Sequence, residues 1–393
     1  MCTIFARELA VGVVRARWPG QRVNYAVVAA LVYAGAAGAI LSSANSPGKT
    51  VTTQQRLAIL RRAQVWAPTD IRSMDLRAGP QGPDAFAPDA TITCDHVPAS
   101  MSGRSPKFTC AINADDHIKV KYGRENGEVY AEVAATRLLW SIGFAADRMY
   151  PVQVICRHCP KAYGGREVKD DTYLFDIASV ERKLPGHEVT LRDRSGWTWP
   201  ELDVIDEEAG GAPRAHRDAL KLLAAMLQHT DSKSEQQRLQ CAPDGPAGGG
   251  KEKHAASDGH DFPCDRPIAL INDLGLTFGG VSQLNVNAAS SANFVRWSRA
   301  PVWAAGPRCV AAISVSSTGT LDNPRIGEDG RAFLAGLLEQ LSDRQLRDMF
   351  EVARFHLRRH ASDTDSPEPG RIDEWVAAFK SKRDAIAARH CDN

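Results

Sequence analysis

A chain of 393 residues is long enough to bury a substantial core in one large domain or in two lobes. Its 48 basic and 47 acidic residues nearly cancel, which excludes the global basic field of a nucleic-acid binder and the acidic excess of a solvating tail. With 43% hydrophobic residues, the composition is that of a globular protein.

Residues 1–22 form a basic segment carrying Arg7, Arg15, Arg17 and Arg22. The apolar stretch at 23–44, centred on NYAVVAALVYAGAAGAILSSA, has no charge and about the length that crosses a bilayer core of ~30 Å. No Glu or Lys marks a solvent-facing side, so it reads as a transmembrane anchor or a signal segment rather than a core helix. The closing SSA is a candidate cleavage site, and anchor and cleaved signal stay unseparated. Basic residues flank it on both sides, so orientation stays open. Setting Cys2 aside leaves eight cysteines, an even number compatible with disulfides in an exported, periplasmic body.

From 45 to 90 the sequence reads as a linker: TTQQRLAILRRAQVW has a helical pattern, and the Pro/Gly-rich run from Arg77 to Ala90 breaks it. A small, mostly β lobe is expected over 91–182. KFTCAI and HIKVKYG read as a strand pair turned at NADD. EVYAEVAATRLLWSIGF is a strong helix ended by Gly143, and MYPVQVI and TYLFDIASVE are further strands. A larger, mainly helical lobe is expected over 183–365. It contains the helix HRDALKLLAAMLQH, the strands QQRLQC and PIALIND around a flexible insert at 242–263, and one or two helices beginning near Gly327, with SDRQ as a capped start. A linker and a last helix, Ile372 to Arg389, complete 366–393.

Phosphoryl transfer from a nucleotide needs a cation on the phosphates, a carboxylate to hold that cation's side chain, a base at the acceptor hydroxyl and ligands for Mg²⁺. A candidate for each occurs in chain order. In SGRSPKF, Gly103 permits close backbone approach to phosphate, and Ser105 and Lys107 can donate to its oxygens. Lys119 and Lys121 lie two apart on a strand and share a face; Lys121 is the slightly preferred phosphate lysine and Lys119 stays open. Glu132 sits within an otherwise apolar helix as its partner, with Glu128 four residues earlier as the substitute. In HTDSKSEQQ, Asp231 would orient the acceptor hydroxyl, Lys233 would neutralise the transferred group, Gln236 would bind metal through its amide oxygen, and His229 would be structural. ALINDLGLTFG delivers Asp273 as a further metal ligand. Each motif alone has an ordinary reading, as a polar turn, a solvated strand face or a chance D-L-G; the order of all of them is what is specific. The literal HRD at His216–Asp218 opens a helix, because Leu223 follows where a metal ligand would stand.

This set resembles a protein-kinase-like fold, and is more similar to the atypical HipA-type bacterial kinases than to ordinary eukaryotic ones. The carrying residues are Ser102, Gly103 and Lys107; Lys121 or Lys119; Glu132; His229 and Asp231; and Asp273. The resemblance spans roughly residues 102–280 and implies an α+β, two-lobed kinase-like fold. It implies ATP and Mg²⁺ as cofactors and transfer of the γ-phosphoryl group to a hydroxyl acceptor, by default on a protein. Gln236 departs from the usual Asn by one methylene, so the alternative is a pseudokinase that senses nucleotide or scaffolds the cell envelope. Besides nucleotide, the implied partners are that acceptor and, through 23–44, the membrane. Among the cysteines, pairs Cys241–Cys264 and Cys156–Cys159 are favoured, and a zinc site joining Cys156 and Cys159 to Cys94 and Cys110 is conceivable.

Overall fold

The computed structural model describes residues 49–82, 84–243, 264–282, 286–314, 316–359 and 370–391. The apolar stretch 23–44, the basic segment before it, most of the insert at 242–263 and the linker SDTDSPEPG up to Pro369 lie outside these residues. Among the described residues no helix is long and apolar enough to cross a membrane.

In chain order the regular elements are strand β1 (Lys49–Thr50), helix α1 (Thr53–Arg61), and strands β2 (Ala90–Val97), β3 (Lys107–Asn113) and β4 (Asp116–Tyr122). Helix α2 (Glu128–Ser141) follows, then β5 (Arg148–Arg157), β6 (Arg166–Lys169), β7 (Thr172–Arg182) and β8 (His187–Thr190). After α3 (Arg214–Met226) come β9 (Gln237–Cys241), β10 (Pro267–Ile271), and helices α4 (Asn287–Ser290), α5 (Phe294–Arg299), α6 (Glu328–Leu338), α7 (Asp343–Val352) and α8 (Ile372–Ala387). The chain is thus mixed α/β, with two sheets among the described residues.

The larger sheet runs β4-β3-β2-β5-β7-β6, and a further β4–β7 pairing joins it back on itself. Five strands therefore form a closed ring with β6 on the outer edge of β7. Alternation decides what fills it: Phe108, Cys110, Ile118, Val120, Val152 and Val154 turn inward into one apolar cluster. Lys119 and Lys121, offset by one from Ile118 and Val120, point to the other side.

Helix α2 is buried nearly all round, including Glu132 and Arg137. It ends as expected at Gly143, which adopts φ +87°. The Phe144 N–H bonds the Leu139 carbonyl and the Gly143 N–H that of Trp140, the paired bonds of a Schellman termination. At its other end the Gly127 N–H donates to the Asn287 side chain, whose own amide nitrogen donates to Asn126 Oδ1 at 3.0 Å.

The smaller sheet runs β1-β8-β9-β10. Its β9–β10 hairpin pairs Gln237 with Ile271 at the end facing the candidate site and Cys241 with Pro267 at the other. The helices gather around an aromatic core in which Trp297 and Trp375 stack at 5.4 Å, with Phe278 and Phe355 edge-on to them and Phe350 tilted against Trp375. Ser342 caps α7 through a reciprocal box with Gln345, as SDRQ indicated. Asp218 of the HRD triplet lies in α3 and accepts from the Gly327 N–H at the start of α6.

Two expectations are corrected. The described part of 45–90 is not a free-standing linker. Ile59, Leu60, Ala63, Val65, Ile71 and Leu76 are buried in the main core, and Gln64 and Trp66 form bridges to Ile268 and Phe144. Its apolar residues are few but clustered, and they cover surface that α2 and the β9–β10 hairpin would otherwise expose. Nor is a zinc site built from the cysteines: Cys94–Cys110, Cys156–Cys159, Cys241–Cys264 and Cys309–Cys391 are disulfides. These four pairs consume every cysteine among the described residues and are compatible with an extracytoplasmic location.

Candidate functional site

The centre of the site is a buried lysine. Lys121, 1% exposed, leaves β4 toward α2. Its Nζ lies 2.7 Å from Glu128 Oε2, 2.7 Å from Glu132 Oε1 and 3.7 Å from Asp273 Oδ2. Strand and helix geometry explain the meeting. An odd-numbered residue of β4 faces α2, and Glu128 and Glu132, four apart, stack on the helix face that looks back.

Burial alone would lower the Lys121 pKa, but the carboxylates of Asp273, Glu128 and Glu132 outweigh it and hold the lysine charged, well above its ordinary value. Burial likewise opposes ionisation of Asp273, yet Lys121 and Lys119 hold its carboxyl well below the usual range. Glu132 goes the other way: burial pushes its pKa well up, and Lys121 offsets this only in part.

The phosphate-turn residues arrive from the opposite strand. Lys107 is the direct cross-strand partner of Lys121. Its ammonium makes no hydrogen bond or ion pair among the described residues. It lies under the turn, so that a Cβ at Gly103 would come within 2.7 Å of Lys107 Nζ; Gly103 itself adopts φ +84°. Burial, then the neighbouring Lys121 charge, lowers the Lys107 pKa. Ser105 Oγ donates to Glu128 Oε2 at 2.9 Å. Lys119 is ion-paired with Glu181, and its charge also acts on Asp273.

Asp231 is buried after α3, in a loop tied on both sides. The Thr230 N–H donates to the Leu276 carbonyl, and Ser232 accepts from the backbone of Thr320 and Leu321. Asp231 Oδ2 accepts from Gln236 Nε2 at 2.7 Å and lies 3.2 Å from Lys233 Nζ. Its other oxygen, Oδ1, is buried and has no hydrogen-bond partner. Both Asn272 and Asp273 donate their backbone N–H to the Gln236 carbonyl, which registers Asp273 against the Asp231 loop. His229 is wholly buried beside Trp199 and lies 3.2 Å from the Gln237 side-chain amide; burial lowers its pKa to about 4, so it is neutral at pH 7.

Lys107, Lys121, Glu128, Glu132, Ser105 and Asp273 thus converge, and Asp231, Lys233 and Gln236 adjoin Asp273 through the hairpin. Glu128 is as close to Lys121 as Glu132 is, and its spacing four residues before Glu132 was the signal for it. Asn287 and Ser291 were not identified from sequence. They stitch the start of α2 to the Asp273 segment, Ser291 Oγ donating to the Gly275 carbonyl at 2.7 Å.

The donor set suits a hard divalent cation. Carboxylate oxygens of Glu128, Glu132 and Asp273 lie within 4.8 Å of one another, and Glu132 Oε2 is buried with no hydrogen-bond partner. Oxygen ligands of this kind are those Mg²⁺ selects.

No protein-family model matches the chain, and no curated protein matches its sequence. Among solved structures, the proinflammatory kinase CtkA of Helicobacter pylori superposes with a TM-score of 0.39 at 8% identity, covering 77% of this chain and 95% of that one. A likeness this loose carries no weight beside the side chains themselves.

Proposed function

We propose that the chain is a two-lobed, kinase-like phosphotransferase that moves the γ-phosphoryl group of ATP to a hydroxyl acceptor, by default on a protein. The observation that carries this reading is the unpartnered Oδ1 of Asp231, a buried acceptor held beside Lys233 and registered against Asp273. A buried carboxylate oxygen left without a partner is costly unless a ligand supplies the hydrogen bond. An acceptor hydroxyl would supply it, and a base must stand within hydrogen-bond reach of the proton it accepts.

In this reading Gly103 and Ser105 cover the phosphates, and Lys107, the free ammonium of the group, takes their charge. Lys121 and Glu132 fix the strand against α2. Asp273 holds Mg²⁺ together with Gln236, whose amide nitrogen is committed to Asp231 and whose oxygen is left for the metal. Bound Mg²⁺ supplies charge neutralisation on the phosphates. Asp231 orients the acceptor hydroxyl, and Lys233 screens the group in transfer. The short S-G-x-x-x-K turn is what aligns the chain with the HipA-type enzymes. The four disulfides favour an extracytoplasmic body, tethered or exported through 23–44.

The competing reading is a nucleotide-binding module without transfer. It is favoured by the Gln236–Asp231 hydrogen bond, which occupies one oxygen of the base. Transfer of label from γ-labelled ATP to protein acceptors decides between them. Asp231→Asn is expected to lower transfer by about 10²–10⁴-fold while leaving ATP affinity unchanged. A chain that binds ATP but transfers no label selects the module. A chain that shows no thermal shift at millimolar ATP with Mg²⁺ overturns both.

A further inference from the structure

Three carboxylates share one ammonium in this site. Glu128, Glu132 and Asp273 all contact the Lys121 ammonium, which contributes one positive charge and is sealed from solvent. Two like charges four residues apart on a helix repel, and burial raises the cost of leaving them uncompensated. A divalent cation among these oxygens would relieve that repulsion.

The arrangement of free oxygens matches that need. Glu132 Oε2 is buried, 1% exposed as a residue, and has no hydrogen-bond partner. Glu128 commits only Oε2, which accepts from both Lys121 and Ser105. Asp273 Oδ1 accepts from the Gly275 N–H at 2.9 Å, while Oδ2 faces the cluster. Gly275 is what lets Glu128 approach Asp273. A Cβ there would stand 2.8 Å from Glu128 Cγ and 3.0 Å from Asp273 Oδ1, so any side chain would separate the two carboxylates.

We propose that Glu128 joins Asp273 as a carboxylate ligand of the divalent cation, so that the site takes up that cation before any nucleotide arrives. This deepens the phosphotransferase reading and rests on its metal assignment. It adds a helix-borne carboxylate to the ligands expected from the Asp231 and Asp273 loops. It also gives the longer Gln236 a lesser part, because two carboxylates hold the ion whether or not the amide reaches it. Mg²⁺ is commonly held by one or two carboxylates with waters and substrate phosphates completing the shell, and Glu128 with Asp273 supplies that number.

The test is Mn²⁺ titration of the full chain without nucleotide, read by loss of the free-ion electron paramagnetic resonance signal. One Mn²⁺ per chain is expected to bind, with affinity reduced about tenfold or more in both Glu128→Gln and Asp273→Asn. Glu128→Asp, which keeps the charge with a shorter reach, is expected to fall between wild type and Glu128→Gln, and it stands in should Glu128→Gln fail to fold. Uptake of Mn²⁺ that is equal in wild type, Glu128→Gln and Glu128→Asp overturns the proposal, as does a wild-type chain that takes up none until ATP is added. In the last case ATP-dependent Mn²⁺ binding lost in Asp273→Asn leaves the phosphotransferase reading standing. Glu128-dependent Mn²⁺ binding with no ATP binding under any condition has the opposite result, sinking that reading and keeping the metal site.

Discussion

Replacing Lys121 by methionine keeps the bulk of its stem and deletes the one cation that contacts all three carboxylates. At an effective dielectric of about 20, charges separated by the 2.7 Å of the Glu128 contact attract by roughly 6 kcal/mol. The 3.7 Å contact to Asp273 adds roughly 4 kcal/mol more. Most of this gross attraction is offset by the cost of desolvating the ammonium, so the expected net loss of stability is about 3–5 kcal/mol at neutral pH, the range for stripping one partner from a buried pair. The pH dependence has a definite sign. In Lys121→Met the stranded carboxylates have folded pKa values raised above their unfolded ones, so they bind protons on folding, and stability falls as pH rises through those raised values. In the wild type Asp273 is depressed instead, and its contribution is lost as pH falls through its folded pKa. The first trend shrinks the difference between the two proteins toward pH 4 and enlarges it toward pH 8; the second acts only below the unfolded Asp273 pKa of about 4. Urea denaturation of both chains at pH 4.5, 6 and 8, followed by tryptophan fluorescence, measures it. A deficit below about 0.5 kcal/mol at pH 8, or one constant across the series, would refute the picture of a lysine neutralising buried carboxylates.

Two further outcomes follow from close contacts and covalent links. Gly275→Ala places a methyl 2.8 Å from Glu128 Cγ and is expected to cost about 1–3 kcal/mol while weakening Mn²⁺ binding; unchanged melting and unchanged metal affinity would show that Glu128 does not rest on that glycine. The Cys309–Cys391 bridge spans 82 residues and ties the end of the chain beside α6, so Cys309→Ser/Cys391→Ser is expected to lose up to about 4.5 kcal/mol by the chain-entropy estimate, read by thermal melting under non-reducing conditions. Titration with a thiol reagent of the unfolded, unreduced wild type is expected to find no reactive thiol among the eight described cysteines, and any that reacts would break one of the four assigned pairs.

Much of the candidate site can be read from sequence because local periodicity sets it. Lys121 faces α2 because Val120 faces the ring interior, and Glu132 meets it because a helix returns every fourth residue to one face. Asp273 follows from an apolar strand ending in D-L-G. What sequence did not reveal depends on contacts between distant segments. No local pattern says that β4 also pairs with β7 to close the ring, or that Cys94 joins Cys110 across β2 and β3. Helix α1 and Val65 read as a helical pattern with basic residues before a Pro/Gly run. Only the exposed flank of the β9–β10 hairpin explains why they are buried. Asn287 and Ser291 lie in a Ser/Asn/Ala-rich stretch that carries no motif, and their role appears only once α2 is beside them.

The Gln at 236 illustrates how backbone and side chain divide the work. The Gln236 carbonyl accepts from the N–H groups of both Asn272 and Asp273, and the β9–β10 register continues from that point with Gln237 opposite Ile271. Asp273 is therefore set against the Asp231 loop by main-chain bonds that any residue at 236 would make. The extra methylene of Gln shifts only the amide, by about 1 Å, and a shift of that size at a reacting group can cost about 10²-fold in rate. Here the shift falls on a group whose nitrogen already serves Asp231. The carboxylates of Asp273 and Glu128 keep their places, because Gly275 and the Lys121 ammonium fix them from the other side. A substitution that would disable a site relying on one amide is thus compatible with metal binding in a site that draws its charge from α2.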